Sequence, residues 1–160
     1  MSIEKVRSFF AAQGMEDKVM EFSVSSATVE SAAIAVGTEP ARIAKSLTFM
    51  SKEGTCIMII AAGDTKIDNS KFKQKFGTKA KMLTPDEVIS FTGHAIGGVC
   101  PFALPDGVSV YLDEGLKRFT TVFPACGSSN SAIELDCDTL YRLSGAIEWA
   151  DLCKPIAPID

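Results

Sequence analysis

The chain has 160 residues, 46% apolar and 22% charged, the size and balance of one globular domain and not of a disordered, collagen-like or disulfide-scaffold protein. No apolar run approaches the ~20 residues needed to cross a bilayer, and the first residues lack the basic start and apolar stretch of a secretory signal, so a cytoplasmic protein without membrane association is expected. The net charge of −4 conceals an asymmetry: between Thr65 and Lys81 stand six lysines and one acid, while ten basic and nineteen acidic residues leave the remainder at −9. Such a chain repels a polyanion over most of its surface and admits it at one place, unless the lysines only solvate a helix face.

In chain order, Ser2 opens a helix whose Ile3, Val6, Phe9 and Phe10 share one face, with Gly14 as its stop. Thr28 caps a second helix carrying Ala32, Ala33 and Val36 and ending at Gly37. Pro40 starts a short helical turn leading through Ile43 and Ala44 to Lys45. From Leu47 the pattern alternates, and Cys56–Ala62 is a continuous apolar run, which predicts two paired strands with the second buried on both faces. Phe72 and Phe76 predict a short helix that buries its phenylalanines and turns Lys71, Lys73 and Lys75 outward. Thr84, Pro85 and Glu87 form a capping box with proline at the first helical position, opening a helix that stops at Gly93.

Residues 94–107 carry Gly97, Gly98, Pro101, Pro105 and Gly107 and are expected to be irregular, a length of loop that is often functional. Residues 108–112, 119–123 and 131–135 are further strand candidates, and 138–152 reads as a final helical region. Strand pairs with intervening helices predict an α/β or α+β fold. Residues 1–160 form one domain in this reading, with a mixed, largely antiparallel, twisted or barrel-like sheet surrounded by helices.

Most enzyme constellations are absent. His94 is the only imidazole, there is no GxSxG elbow, Walker loop, dinucleotide fingerprint or HExxH, and the five cysteines contain no CxxC pair, so neither a metal nor a cofactor is expected. The thiols are expected to stay reduced. What remains is backbone: in Gly97-Gly98-Val99-Cys100-Pro101-Phe102 the glycines allow positive φ and close approach, so that amide N–H groups can face an anion or a carbonyl oxygen gaining charge. An ordinary turn is the alternative.

Lys45 within Ile43-Ala44-Lys45-Ser46-Leu47, the loop from Gly97 to Phe102, and Gly127 ahead of Ile133-Glu134-Leu135 occur in the order and spacing of the YbaK family, which the chain resembles from about residue 20 to about residue 150. These aminoacyl-tRNA deacylases are related to the editing insertion domain of bacterial prolyl-tRNA synthetase. The resemblance implies trans-editing, the hydrolysis of the ester joining a small noncognate amino acid to tRNA. Aminoacyl-tRNA, with tRNA-Pro and prolyl-tRNA synthetase in view, is the implied partner. It implies that Lys45 holds the tRNA 3′ end and that Gly97, Gly98 and Pro101 position the aminoacyl carbonyl. Ser46, His94, Val99, Cys100, Phe102, Gly127, Ser128, Ser129 and Asn130 are implied to shape the substrate pocket.

Lys66, Lys71, Lys73 and Lys75 are expected to contact tRNA through charge. His94 is as readily a structural group as a chemical one, and Cys100 is a pocket residue or a reactive thiol. Some relatives carry a histidine near Asn130 and this chain does not, so the resemblance does not extend to the detail of their amino-acid specificity. A noncatalytic tRNA- or synthetase-binding module of the same fold is the alternative function. The sequence does not define the oligomeric state.

Overall fold

The computed structural model describes residues 2–156. Helix α1 (Ser2–Ala12) precedes strand β1 (Met20–Glu21) and helix α2 (Val29–Val36). Strands β2 (Ile43–Met50), β3 (Cys56–Ala62) and β4 (Thr65–Ile67) lead into helices α3 (Asn69–Phe76) and α4 (Pro85–Thr92). After a long loop come β5 (Val108–Asp113), β6 (Thr121–Pro124), β7 (Ser131–Ala132) and β8 (Leu135–Asp136). Helix α5 (Cys137–Ser144), β9 (Glu148–Ala150) and β10 (Cys153–Pro155) complete the described chain.

The main sheet has the order β8-β6-β2-β3-β5-β9, and two small antiparallel pairs, β1-β7 and β10-β4, flank it. It is mixed and curled, as the pattern predicts. Across the three sheets antiparallel pairs outnumber parallel ones, but β6, β5 and β9 all join the main sheet through parallel pairings.

Strand β3 explains the layering. All seven of its residues are buried, because β2 pairs with one edge, β5 with the other, and both faces are covered. Met58, Ile60 and Ala62 point into the main core with Val6 and Phe10 of α1 and Leu140 and Leu143 of α5. Ile57 and Ile59 alternate to the opposite face, where Phe72 of α3 packs with Phe49 and Leu152. A strand covered on both faces reads as an unbroken apolar run, which is the pattern seen.

The three best-signalled helices form where their caps lie. Thr28 and Thr84 each close a capping box, with Ser31 and Glu87 as the reciprocal partners, and Gly37 and Gly93 end those helices in the left-handed conformation. Asp68 accepts from Ser70 and Lys71 N–H at the start of α3.

Three expectations are corrected. Strand β2 begins at Ile43, four residues before the alternation, because β3 pairs with it from Ala44 onward and β6 adds to it at Ile43 and Ala44. The candidate strand at 131–135 is two short strands that serve different partners, β7 with β1 and β8 with β6, and the Ile133 N–H between them donates to the Pro124 carbonyl. The final helix does not run to residue 152. Gly145 takes a φ of 67° and ends α5, and residues 148–150 then pair with β5 while 153–155 pair with β4. No helix among the described residues is long and apolar enough to cross a membrane.

Phe72 is the keystone of the outer layer, fully buried with its ring 5.0 Å from that of Phe49 and 4.7 Å from that of Phe76. Phe72→Ala is expected to lower unfolding free energy by about 3–5 kcal/mol through lost burial and the cavity left behind. Urea denaturation measures it; a loss under about 1 kcal/mol would show that α3 contributes little to the fold.

Candidate functional site

The site forms where a strand edge is left uncovered. On its outer edge β2 pairs with β6 only at Ile43 and Ala44. Farther along, the Leu83 N–H donates to the Thr48 carbonyl and the Met50 N–H to the Lys81 carbonyl. Between these two closures lies Ser46. Peptide groups along a strand alternate between its edges, so the Ser46 N–H and C=O point outward with those of Thr48 and Met50, into the gap. A cavity of about 290 Å³ occupies this gap. It is lined by Val29 and Ala32 of α2, Val88 of α4, Ile96, Gly97 and Val99 of the glycine loop, and Phe123 and Ala125 near β6.

Lys45 and Ser46 both border the cavity. Lys45 is half-buried, and its Nζ donates to the carbonyl of Thr65 and, at 3.5 Å, to that of Gly63. Burial holds its pKa below the ordinary lysine value, opposed by the titratable groups of Cys153, Asp64 and Glu30. The Ser46 hydroxyl is the one buried side-chain oxygen or nitrogen among the described residues without a hydrogen-bond partner. An orphaned polar atom beside a cavity is a place where a ligand or water group finds a partner.

The glycine loop packs against two other segments with no room for side chains. A Cβ on Gly98 would lie 2.7 Å from the Gly127 carbonyl carbon and the Ser128 nitrogen, and one on Gly97, whose φ is 97°, would lie 3.3 Å from the Ala27 Cβ. Gly97 and Val99 border the cavity, while the Gly98 N–H is engaged by the Ala95 carbonyl. Residues 128–130 act from behind. The Ser129 carbonyl accepts from the Ser26 N–H at 2.6 Å, and Asn130 bonds the Phe22 backbone in both directions. The Ser128 hydroxyl bonds Asn130 and Ser131. This network anchors the segment entering α2, and Ser131 and Ala132 are the residues just beyond it that reach the cavity.

His94, Cys100, Pro101 and Phe102 lie in the wall behind the loop, all buried. His94 is 1% exposed; its Nε2–H donates to the Phe102 carbonyl at 2.9 Å and its Nδ1 accepts from the Ser2 hydroxyl, tying α1 to the loop. Desolvation lowers its pKa, the Phe102 bond opposing, so the ring is neutral. The Cys100 thiol, with its sulfur 3.6 Å from the same Nε2, is pushed up to about 12 by burial and is no thiolate at neutral pH.

The lysine segment lies on the same side of the sheet as Lys45, since Lys45, Leu47 and Phe49 alternate toward the face that α3 covers. Its members differ. Lys71 pairs with Asp151 at 2.8 Å, and Lys75 pairs with Glu148 and sits over the Tyr111 ring. Lys66 and Lys73 are exposed, with no ion pair among the described residues. Sequence pattern does not single out Gly63, Thr65 or Met82. Gly63-Asp64 after an apolar run is a turn signal, but a backbone carbonyl that holds a lysine has no side-chain signature.

The fold is that of the small α+β editing domains. Residues 24–143 match the aminoacyl-tRNA editing domain, and the chain belongs to that family. It is 55% identical over 154 residues to YwhH of Bacillus subtilis, an uncharacterized protein, covering 96% of this chain and 98% of that one. It is 30% identical over 122 residues to the proline–tRNA ligase of Pelobacter propionicus, covering 72% of this chain but only 21% of the ligase. Among solved structures, a candidate trans-editing enzyme for prolyl-tRNA synthetase superimposes with a TM-score of 0.86 at 33% identity, covering 96% and 97% of the two chains.

Two outcomes follow from this geometry. Gly98→Ala drives a methyl into backbone, so it is expected to displace the loop and destabilise the fold by about 1–3 kcal/mol, read by thermal unfolding; an unchanged midpoint would show that the two loops are not in contact. Folding lowers the His94 pKa, so its contribution to stability is full above the ordinary imidazole value of about 6.5 and is lost as pH falls through the lower folded value. The urea midpoint should fall with acidification across that window, and less steeply in His94→Gln.

Proposed function

We propose that the cavity receives the aminoacyl group of a mischarged tRNA and hydrolyses its ester in trans. The carrying observation is that Lys45, the uncovered Ser46 strand edge, Gly97 and Val99 all line one small cavity, with the Lys45 ammonium held on the carbonyls of Gly63 and Thr65. A cavity of about 290 Å³ walled by alanine, valine and phenylalanine suits a small side chain. Lys45 at its lip is the cation for the nucleotide backbone, with exposed Lys66 and Lys73 extending the positive charge along the same face.

The reaction needs little general-base strength from the protein. Water attacks the ester carbonyl, the bond from the acyl carbon to the ribose oxygen breaks, and the water proton passes to that oxygen. Free amino acid and deacylated tRNA result. In this reading a hydroxyl of the substrate's own ribose orients the water, in keeping with a neutral, buried His94 and a protonated Cys100 behind the loop. The chain contributes placement of the ester and polar groups aimed at its developing charge. The ligase relative and the trans-editing structure support tRNA-Pro as the acceptor.

Incubation with tRNA-Pro carrying alanine, cysteine, serine or proline, with release of each amino acid measured, tests the proposal. Hydrolysis of at least one noncognate ester with prolyl-tRNA spared is expected; no turnover on any would leave a binding module. Lys45→Met should lower kcat/KM by about 10²-fold or more. Folding lowers the Lys45 pKa, so its contribution to stability is full above the ordinary lysine range and lost as pH falls through the folded value, which leaves the ammonium buried at a cost at neutral pH. Lys45→Met should therefore unfold no earlier than the parent, and a folded, fully active variant overturns the assignment.

Neutralising Lys66 and Lys73 together is expected to raise KM several-fold and to flatten its dependence on salt by about two phosphate contacts. Neutralising Lys71 and Lys75, whose charges are already compensated, should do less. Equal effects from the two pairs would assign the whole segment to a diffuse field.

A further inference from the structure

The turn that holds Lys45 is itself gripped from the far side. Gly63 and Thr65, whose carbonyls accept from the Lys45 ammonium, flank Asp64, so a carboxylate stands between two neutral acceptors. That carboxylate is engaged elsewhere: Arg118 holds it with both terminal nitrogens, at 2.6 and 3.0 Å. Arg118 is fixed in turn by its Nε–H on the Gly115 carbonyl at 2.9 Å, within a turn that Asp113 caps through the Gly115 N–H. Gly63 also packs tightly on the segment ahead of β2, where a Cβ would lie 2.0 Å from the Pro40 carbonyl oxygen.

Ion pairs as exposed as this one, 47% and 43% at the two side chains, add little to stability, so its geometry is better explained by what it does to its neighbour. An ammonium bonded to a carboxylate is held about twice as strongly as one bonded to neutral groups, and is correspondingly less free for a phosphate. Resting on the proposed role of Lys45, we propose that Arg118 is a positioning residue: by occupying the Asp64 carboxylate it keeps the Lys45 ammonium on exchangeable neutral carbonyls and available to an anionic ligand.

The charged and titratable groups facing this pair are few. Asp64, Glu30 and Cys153 act on Lys45, and Asp64, Asp113 and Glu39 act on Arg118. Removal of the guanidinium therefore leaves Asp64 as the carboxylate released next to Lys45. Removal of both groups leaves Glu30 as the one carboxylate among these that acts on Lys45.

The test compares the parent, Arg118→Ala, Asp64→Asn and the double variant by two measurements. The first is the Lys45 side-chain titration by NMR, assigned with Lys45→Arg, which does not require any hydrolysis. It should move up in Arg118→Ala, and down in Asp64→Asn and in the double variant. The second is the kinetics of aminoacyl-tRNA hydrolysis. Arg118→Ala should raise KM by about fivefold or more with kcat little changed, and the double variant should return to within about threefold of the parent. A Lys45 titration that is the same in all four proteins, or a double variant no better than Arg118→Ala, overturns the proposal and makes the pair a surface staple. If the parent hydrolyses no aminoacyl-tRNA, the functional reading fails on its own, and the NMR titration still decides whether Arg118 controls Lys45.

Discussion

The whole arrangement depends on strand β3 being paired along both edges and covered on both faces. Seven buried residues with β2 on one side and β5 on the other make it the element around which the sheet curls. Because β2 is longer than β6, committing its inner edge to β3 leaves its outer edge only partly covered. The cavity is the consequence of that mismatch in length. Uncovered strand edges usually invite aggregation, and here the α2 entry, the glycine loop and the Met82 bridge narrow the opening to the size of a small ligand.

How far the fold could be read from sequence depends on the range of the forces involved. The α2 and α4 helices were legible because a threonine cap, its partner three residues on and a closing glycine all lie within one segment. The two-faced burial of β3 was legible from its unbroken apolar run. Strands β9 and β10 were not, because three-residue strands carry no period and exist only through β5 and β4, distant in sequence. The same holds for Ala44 to Ser46, where alanine and lysine give no strand signal and β3 supplies the pairing.

The site divides along similar lines. Lys45, Ser46, Gly97 and Val99, singled out by family resemblance and loop chemistry, meet at the cavity. Residues 128–130 support the segment that walls it, and His94, Cys100 and Phe102 support the loop, roles that composition alone does not separate from contact with a ligand. The lysines were legible as a charged segment but not as individuals: the acids that neutralise Lys71 and Lys75 stand 80 and 73 residues away. Gly63 and Thr65 act through main-chain oxygens, to which side-chain identity is blind.

The wedge of Gly63 against Pro40 bears on how Lys45 moves. The strand that carries Lys45 and the turn that cradles its amine are bolted together at one point, immediately ahead of β2. Exchanging a carbonyl for a ligand oxygen there would involve rotation about the bonds of the lysine side chain. If Lys45 takes the acceptor end as proposed, that step needs no movement of the strand against its turn.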